Sequence, residues 1–362
     1  MLIEICEDVV QAAEQNKASA LNVLEQVIFA HKSGKHLLFT TYSLLIRIVK
    51  IPGLPKYVRQ LFSNLKRQVS TIGNIYNLVK IKTKLTYLEN TRREIGIIYI
   101  NPDEILSFDY SAEAHLLTEN LIDGEFYRYC INFYKKKKHI RCNHKYFALQ
   151  GGGNTMESVY RKEASDKRFF CIAISDSDKL FPEDKLGQTA TAIKAADKKL
   201  RPFNCSCYIM SRLREVENFI PLELILINSN YKNTALVVKN YNIDYSFFDM
   251  KKGIRQSKLY GDDVFLYWQS MFIEASKSYI PLFNEIKVSK ADLNKSEYQD
   301  YWGNESIIDG LGEKLLECCL KKYADRLTSI KDSDLTPNQM GEWLEVGELI
   351  FGWSCASSNQ YV

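Results

Sequence analysis

Between residues 114 and 210, short apolar runs alternate with amphipathic stretches, and this rhythm constrains the chain more than any other feature. Ala114–Thr118, Lys145–Leu149, Arg168–Ser175 and Cys205–Met210 read as strands. Asp123–Tyr134, Asn154–Lys162 and Gln188–Lys199 read as helices between them, the first turning Phe126, Tyr129, Cys130 and Phe133 inward. Strands that alternate with helices at this spacing imply a parallel sheet with crossover helices, so the expected class is α/β.

The flanks read differently. Leu21, Leu24, Val27 and Ile28 share one face of a helix predicted over 5–31, which Ser33-Gly34 stops. A second helix is predicted over about 37–50, ending at Ile51-Pro52-Gly53. A third, over about 55–86, carries Val58, Leu61, Leu65, Ile72 and Ile75, with Gly73 as a break. Residues 1–93 are therefore expected to form a basic helical domain, and 94–230, opening with a strand at Ile95–Ile100, the α/β domain. Residues 231–362 are expected to be a mixed, mainly helical C-terminal region. Within it, Thr336-Pro337-Asn338-Gln339 has the form of a capping box with proline at the first helical position. Met340, Trp343, Leu344, Leu349 and Ile350 then supply an apolar face.

A chain of 362 residues, 46% hydrophobic and 25% charged, has the composition of a globular protein of two or three domains. No apolar run reaches 18 residues; Leu37–Val49 is broken by Arg47 and flanked by Lys35 and Lys50, which argues against a membrane span. Glu4, Glu7 and Asp8 near the start argue against a signal peptide. The nine cysteines form no CxxC pair, which points to reduced thiols and a cytoplasmic location. His139, Cys142 and His144 match no standard zinc spacing. The net charge of +4 is unevenly spread: residues 31–98 hold 13 Lys/Arg against two acids, or +11, leaving −7 elsewhere. Such asymmetry is the footprint of a polyanion partner. Lys56, Arg59, Lys66, Arg67, Lys80, Lys82 and Lys84 are the candidate nucleic-acid contacts. A solvated basic face, or a surface for an acidic protein, is the competing reading.

Ligands of open parallel sheets bind beyond the carboxyl ends of the strands. Here the first strand runs into Glu119 and Asp123, the third into Asp176-Ser177-Asp178, and the fourth is followed by Glu215-Val216-Glu217. Converging carboxylates repel one another unless a cation neutralises them, and hard oxygen ligands suit Mg²⁺ or Mn²⁺, which bind phosphate oxygens in turn. Taken singly, Glu119 reads as a surface acid or helix cap, Asp176-x-Asp178 as an even choice, and Glu215 and Glu217 as a solvated face. Their order, with Gly151-Gly152-Gly153 between, is what joins them. Those glycines serve either a backbone approach to metal or phosphate or a tight turn. Lys179 reads as a phosphate contact or a solvated lysine.

Residues 114–221 resemble a TOPRIM domain, the catalytic fold of topoisomerases, bacterial primases and several small nucleases. Glu119 stands where that family has its glutamate, and Asp176 and Asp178 where it has its DxD pair. Glu119-x-x-x-Asp123 and Glu215-Val216-Glu217 are similar to the motifs of the OLD-like (overcoming-lysogenization-defect) branch, and Arg214–Pro221 to a segment of TOPRIM nucleases in phage-defence systems. Asn120 departs from the family's glycine, which bears on the loop geometry. The resemblance covers roughly 110 of 362 residues. It implies that Glu119, Asp176 and Asp178 are catalytic and that Asp123, Glu215 and Glu217 complete a two-metal set. It also implies a metal-dependent nuclease of RNA or DNA, the toxic effector of an anti-phage system. No GxxxxGK[ST] loop is present, so an ATPase or sensor would be a separate partner. A homo-oligomer is left open. The alternatives are a non-catalytic TOPRIM-like module that binds nucleic acid or a partner, and an RNA-maturation nuclease.

Overall fold

The computed structural model describes residues 1–227, 235–236, 238–239, 243–255, 262–275 and 306–358. Its contacts divide the chain into two compact units. The first is Met1–Ser175 with Thr191–Tyr208 and Leu344–Val362; the second is Asp176–Ala190 with Ile209–Trp343. This division by contacts is not the linear one read from composition.

The first unit holds two sheets. One has five strands in the order β2-β1-β3-β5-β4: β1 (Leu2–Ile5), β2 (Leu37–Phe39), β3 (Lys82–Leu85), β4 (Arg92–Glu94) and β5 (Ile97–Ile100). β1 pairs in parallel with β2 and β3, β3 in parallel with β5, and only β4 runs antiparallel to its neighbour. Five helices connect these strands: α1 (Glu7–Glu14), α2 (Ala18–Lys32), α3 (Tyr42–Ile48), α4 (Lys56–Leu65) and α5 (Val69–Leu78). The expectation of an all-helical segment over 1–93 is thereby corrected. Helices fill all three predicted stretches, but the first is two helices, the third is interrupted at Lys66–Gln68 and not at Gly73, and each stretch carries a strand at one end, so the segment is itself α/β. The reason is length: strands of three or four residues beside a helix are too short to show a period of their own, and a parallel partner more than 30 residues away decides them.

The second sheet is the one the alternating pattern predicts. Its four parallel strands lie in the order β10-β9-β6-β8: β6 (Ala114–Thr118), β8 (Tyr146–Gln150), β9 (Cys171–Ser175) and β10 (Cys205–Ile209). β6 pairs with β8 on one side and β9 on the other, Leu117 standing opposite both Leu149 and Ala173. The crossovers are α6 (Leu121–Lys137), α7 (Met156–Asp166) and α8 (Gln188–Leu200). Met156, Tyr160 and Ala164 of α7 and Ile193 and Ala196 of α8 bury Leu117, Cys171, Ala173 and Cys205. Each large apolar side chain buried this way contributes about 1.5–3 kcal/mol. α6 packs through Gly124, where an added Cβ would reach ordinary contact with Leu116, Ala148 and Thr118. Arg93 of β4 ion-pairs with Asp197 of α8 at 3.2 Å, linking the five-stranded sheet to a crossover helix of the four-stranded one. β7 (Asn143–His144) pairs with β13 (Cys355–Ala356), so His144 belongs to a strand pair, and Cys142 Sγ donates to Ala356 O beside it at 3.0 Å.

In the second unit the 3₁₀ turn Val216–Phe219 is the hub. Asn218 Nδ2 donates to the carbonyls of Tyr245 (2.7 Å) and Phe248 (2.9 Å), while Gln339 Nε2 donates to those of Asn218 and Ile220. Trp343 Nε1 donates to Phe219 O at 3.0 Å. The short helix α9 (Leu222–Leu226), the antiparallel pair β11 (Gly253–Arg255) and β12 (Ser306–Asp309), and α10 (Asp262–Ala275) and α11 (Leu315–Thr328) complete the described part. α12 (Pro337–Ser354) starts with the expected reciprocal cap: Thr336 N donates to Gln339 Oε1 (3.0 Å) and Gln339 N to Thr336 Oγ1 (3.2 Å). Much of the expected C-terminal region, including 276–305, lies outside the described residues.

Candidate active site

Reversal of strand order places a switch point in the four-stranded sheet between β6 and β9, because the chain leaves β6 toward β8 and later returns to its other side as β9. Ligands of open α/β sheets bind outside the carboxyl ends at such a point. The residue after β6 is Glu119. The last residue of β9, Ser175, donates from Oγ to Glu119 Oε1 at 3.4 Å, and Asp176 is the next residue in the chain.

The glycine turn holds the other side of Glu119. Gly151 N donates to Thr118 O (2.7 Å) and Gly152 N to Glu119 O (2.8 Å). Gly152 has φ 64°, and a Cβ on Gly151 would stand 2.4 Å from Met156 Cγ, so neither position accepts a side chain. Of the two readings of Gly151–Gly153, the tight turn describes the first two amides, which are bonded to β6. Asn120 caps α6: its N–H donates to Asp123 Oδ2 at 2.8 Å, and Asp123 is buried. Asp123 thus has a structural duty that its place in an ExxxD motif does not reveal.

Within the second unit, Asp176 Oδ1 accepts from Val216 N at 3.2 Å, joining the DxD loop to the 3₁₀ turn. Ser177 N and Asp178 N both donate to Arg214 O (2.9 and 3.1 Å), and Ser177 Oγ donates to Leu213 O. Arg214 returns the contact through Nη1 to the carbonyls of Asp178 and Lys179, 3.0 Å each, and ion-pairs through Nη2 with Asp249 at 3.3 Å. Asp178 is exposed and has φ 55°, a left-handed conformation that costs a non-glycine residue about 1–3 kcal/mol and that gathers at functional sites. Lys179 Nζ folds back onto Pro182 O at 2.8 Å.

Glu215 and Glu217 are buried, and a lysine that sequence reasoning did not single out lies between them. Lys251 Nζ is 3.4 Å from Glu215 Oε2 and 3.1 Å from Glu217 Oε2. Glu215 Oε1 accepts from Met250 N at 2.9 Å. Burial, and then the charge of Glu217, push the Glu215 carboxyl up to about 7. Burial pulls the Lys251 ammonium down, but Glu215 and Glu217 outweigh it and hold the group above the ordinary lysine value. Only the acidic spacing pointed toward this corner. Lys251 is distant in sequence, and no local pattern marks it.

The basic residues expected to meet nucleic acid divide into two sets. Lys80 ion-pairs with Glu348, Lys84 lies 3.7 Å from Glu4, and Lys82 stands 4.0 Å over the Tyr76 ring. Lys56 and Arg67 are exposed, Lys66 and Arg59 half-buried, and none of the four forms an ion pair among the described residues.

Among the described residues, no group of three or more His, Cys, Asp or Glu side chains is gathered as a metal-binding cluster, and no helix is long and apolar enough to cross a membrane. Carboxylates such as those of Asp176 and Asp178 have the donor chemistry that suits a hard divalent cation. The Lys251 ammonium lies between Glu215 and Glu217. No family model, curated protein or solved structure matches this chain.

Proposed function

We propose that this chain is a metal-dependent nuclease of the TOPRIM type that hydrolyses phosphodiester bonds of RNA or DNA. The observation that carries the reading is the switch point. The two strands whose carboxyl ends lead into Glu119 and Asp176 are parallel neighbours, and Ser175 Oγ contacts the Glu119 carboxylate. Glu119, Asp176 and Asp178 would hold Mg²⁺ or Mn²⁺, which when bound activates water and stabilises the leaving oxygen. The chain's own residues do the positioning. Ser175 and the glycine turn orient Glu119, Val216 N orients Asp176, and Arg214 O fixes the backbone of Asp178. A glutamate ending β6 is also suited to take a proton from the attacking water or to pass one to the leaving group.

The basic face of residues 31–98 would hold the substrate backbone. Lacking a phosphate-binding GxxxxGK[ST] loop, the chain would work with a separate ATPase or sensor, as the toxic effector of an anti-phage system. The test is incubation of the purified chain with transfer RNA, ribosomal RNA, plasmid and single-stranded DNA, each with Mg²⁺ or Mn²⁺. Cleavage that stops with EDTA and is absent in Asp176→Asn supports the reading. Binding without cleavage of any of the four would instead identify a non-catalytic nucleic-acid module.

A further inference from the structure

We infer that Lys251 stands in for a second divalent ion, so that the centre takes one metal per chain and Glu215 and Glu217 are not metal ligands. This rests on the metal-dependent reading above and goes beyond it by assigning the acids. Two buried carboxylates that face each other need a cation or a proton between them. Here the cation is Lys251, at 3.1 Å and 3.4 Å, and its side chain is itself mostly buried.

The lysine is delivered by a backbone that has little freedom to withdraw it. Gly253 N donates to Asp249 O (2.7 Å), Leu311 N to Met250 O (2.7 Å) and Gly312 N to Lys251 O (3.0 Å). Gly253 has φ 76°, and a Cβ there would run into Ile308 O, so this turn is locked against the β12 strand. Three further oxygens of the corner are also committed. Glu215 Oε1 takes Met250 N, Asp249 Oδ1 takes Lys252 N at 2.7 Å, and Asp249 Oδ2 takes Arg214. A divalent ion on Glu215 and Glu217 would need bonds of about 2.0–2.6 Å to the oxygens that Lys251 now faces, against the charge of an ammonium a few ångströms away.

The experiment counts ions on the full chain with Mn²⁺ as the only probe, by calorimetric titration and by the loss of the free-ion paramagnetic resonance signal. The parent should take one Mn²⁺ per chain. Glu217→Gln should leave both the count and the affinity unchanged, within about twofold. Lys251→Ala should uncover a second, weaker site, because it frees both carboxylates. Two ions on the parent, or the loss of an ion in Glu217→Gln, would overturn the inference while leaving the nuclease reading intact. No Mn²⁺ on the parent would overturn the metal-dependent reading itself. If Lys251→Ala does not fold, the counts for the parent and Glu217→Gln decide the matter.

Discussion

Asp178 fills the space that a side chain at position 187 would need: a Cβ on Gly187 would stand 2.5 Å from both Cβ and Oδ2 of Asp178. Gly187 N also donates to Ser177 O at 2.9 Å, so the glycine closes the loop that presents the DxD pair. Gly187→Ala must therefore push Asp178 out of its left-handed position. The expected cost is roughly 1–3 kcal/mol of stability from overpacking, with cleavage falling about 10²-fold from misplacement of the reacting group. Initial rates and urea midpoints measure the two effects, and a variant that cleaves at the parental rate would show that Asp178 has no catalytic duty.

Asp176→Asn and Asp176→Ala should part company. Asparagine keeps an oxygen to accept from Val216 N and removes only the charge, so the fold should hold within about 0.5 kcal/mol while cleavage disappears. Alanine leaves the amide of the buried Val216 unpaired and should cost about 1–3 kcal/mol in addition. Denaturation curves for the two variants check this, and equal stabilities would contradict the contact.

Glu215 predicts a pH effect of known sign. Its carboxyl is pushed from the ordinary 4.5 up to about 7, so the folded chain binds this proton more tightly than the unfolded one. Its contribution to stability therefore rises as pH falls from about 7 toward 4.5, and is lost again as pH rises through 7. His31, His36 and His144 pull the other way. Burial lowers all three from 6.5, so their contribution is lost as pH falls below that value. The readout is the difference between the parent and Glu215→Gln, which keeps an acceptor for Met250 N. That difference should change across pH 4.5–7 in the parent's favour at the acid end, and a flat difference would refute the raised carboxyl.

Lys66 and Arg67 test the basic face. Phosphate neutralisation releases counterions, so log affinity should fall with log salt at about −0.9 per contacted duplex phosphate, or about −0.7 for single strands. Changing both residues to alanine should flatten the slope by one to two such contacts and weaken all sequences alike. Lys80 and Lys84, held by Glu348 and Glu4, should contribute less when changed in the same way. Affinity that ignores salt would make this a docking surface for a protein.

The four-stranded sheet was legible because its strands are long enough to show a pattern and are separated by helices of full length. β6 runs over the predicted residues, and the ends of α8 and β10 differ from expectation by a single residue. The N-terminal strands were not legible. β3 reads Lys-Thr-Lys-Leu, which continues a basic helix as well as it starts a strand, and only its pairing with β1 and β5 decides between them. The acids were legible as a list but not by role: Asp123 caps its helix through Asn120 N, and nothing in an ExxxD spacing says so.

The sequence alone determined the α/β rhythm, the acids at the strand ends and the capping box at Thr336, because each depends on residues within one or two helical turns of one another. The pairing of strands across 30 or more residues, the clamp of Arg214 on the Asp178 loop and the placing of Lys251 between Glu215 and Glu217 were decided by the tertiary structure. Those contacts join residues about 35 positions apart, and burial, which no local spacing encodes, is what strengthens the pull of a cation on two carboxylates there.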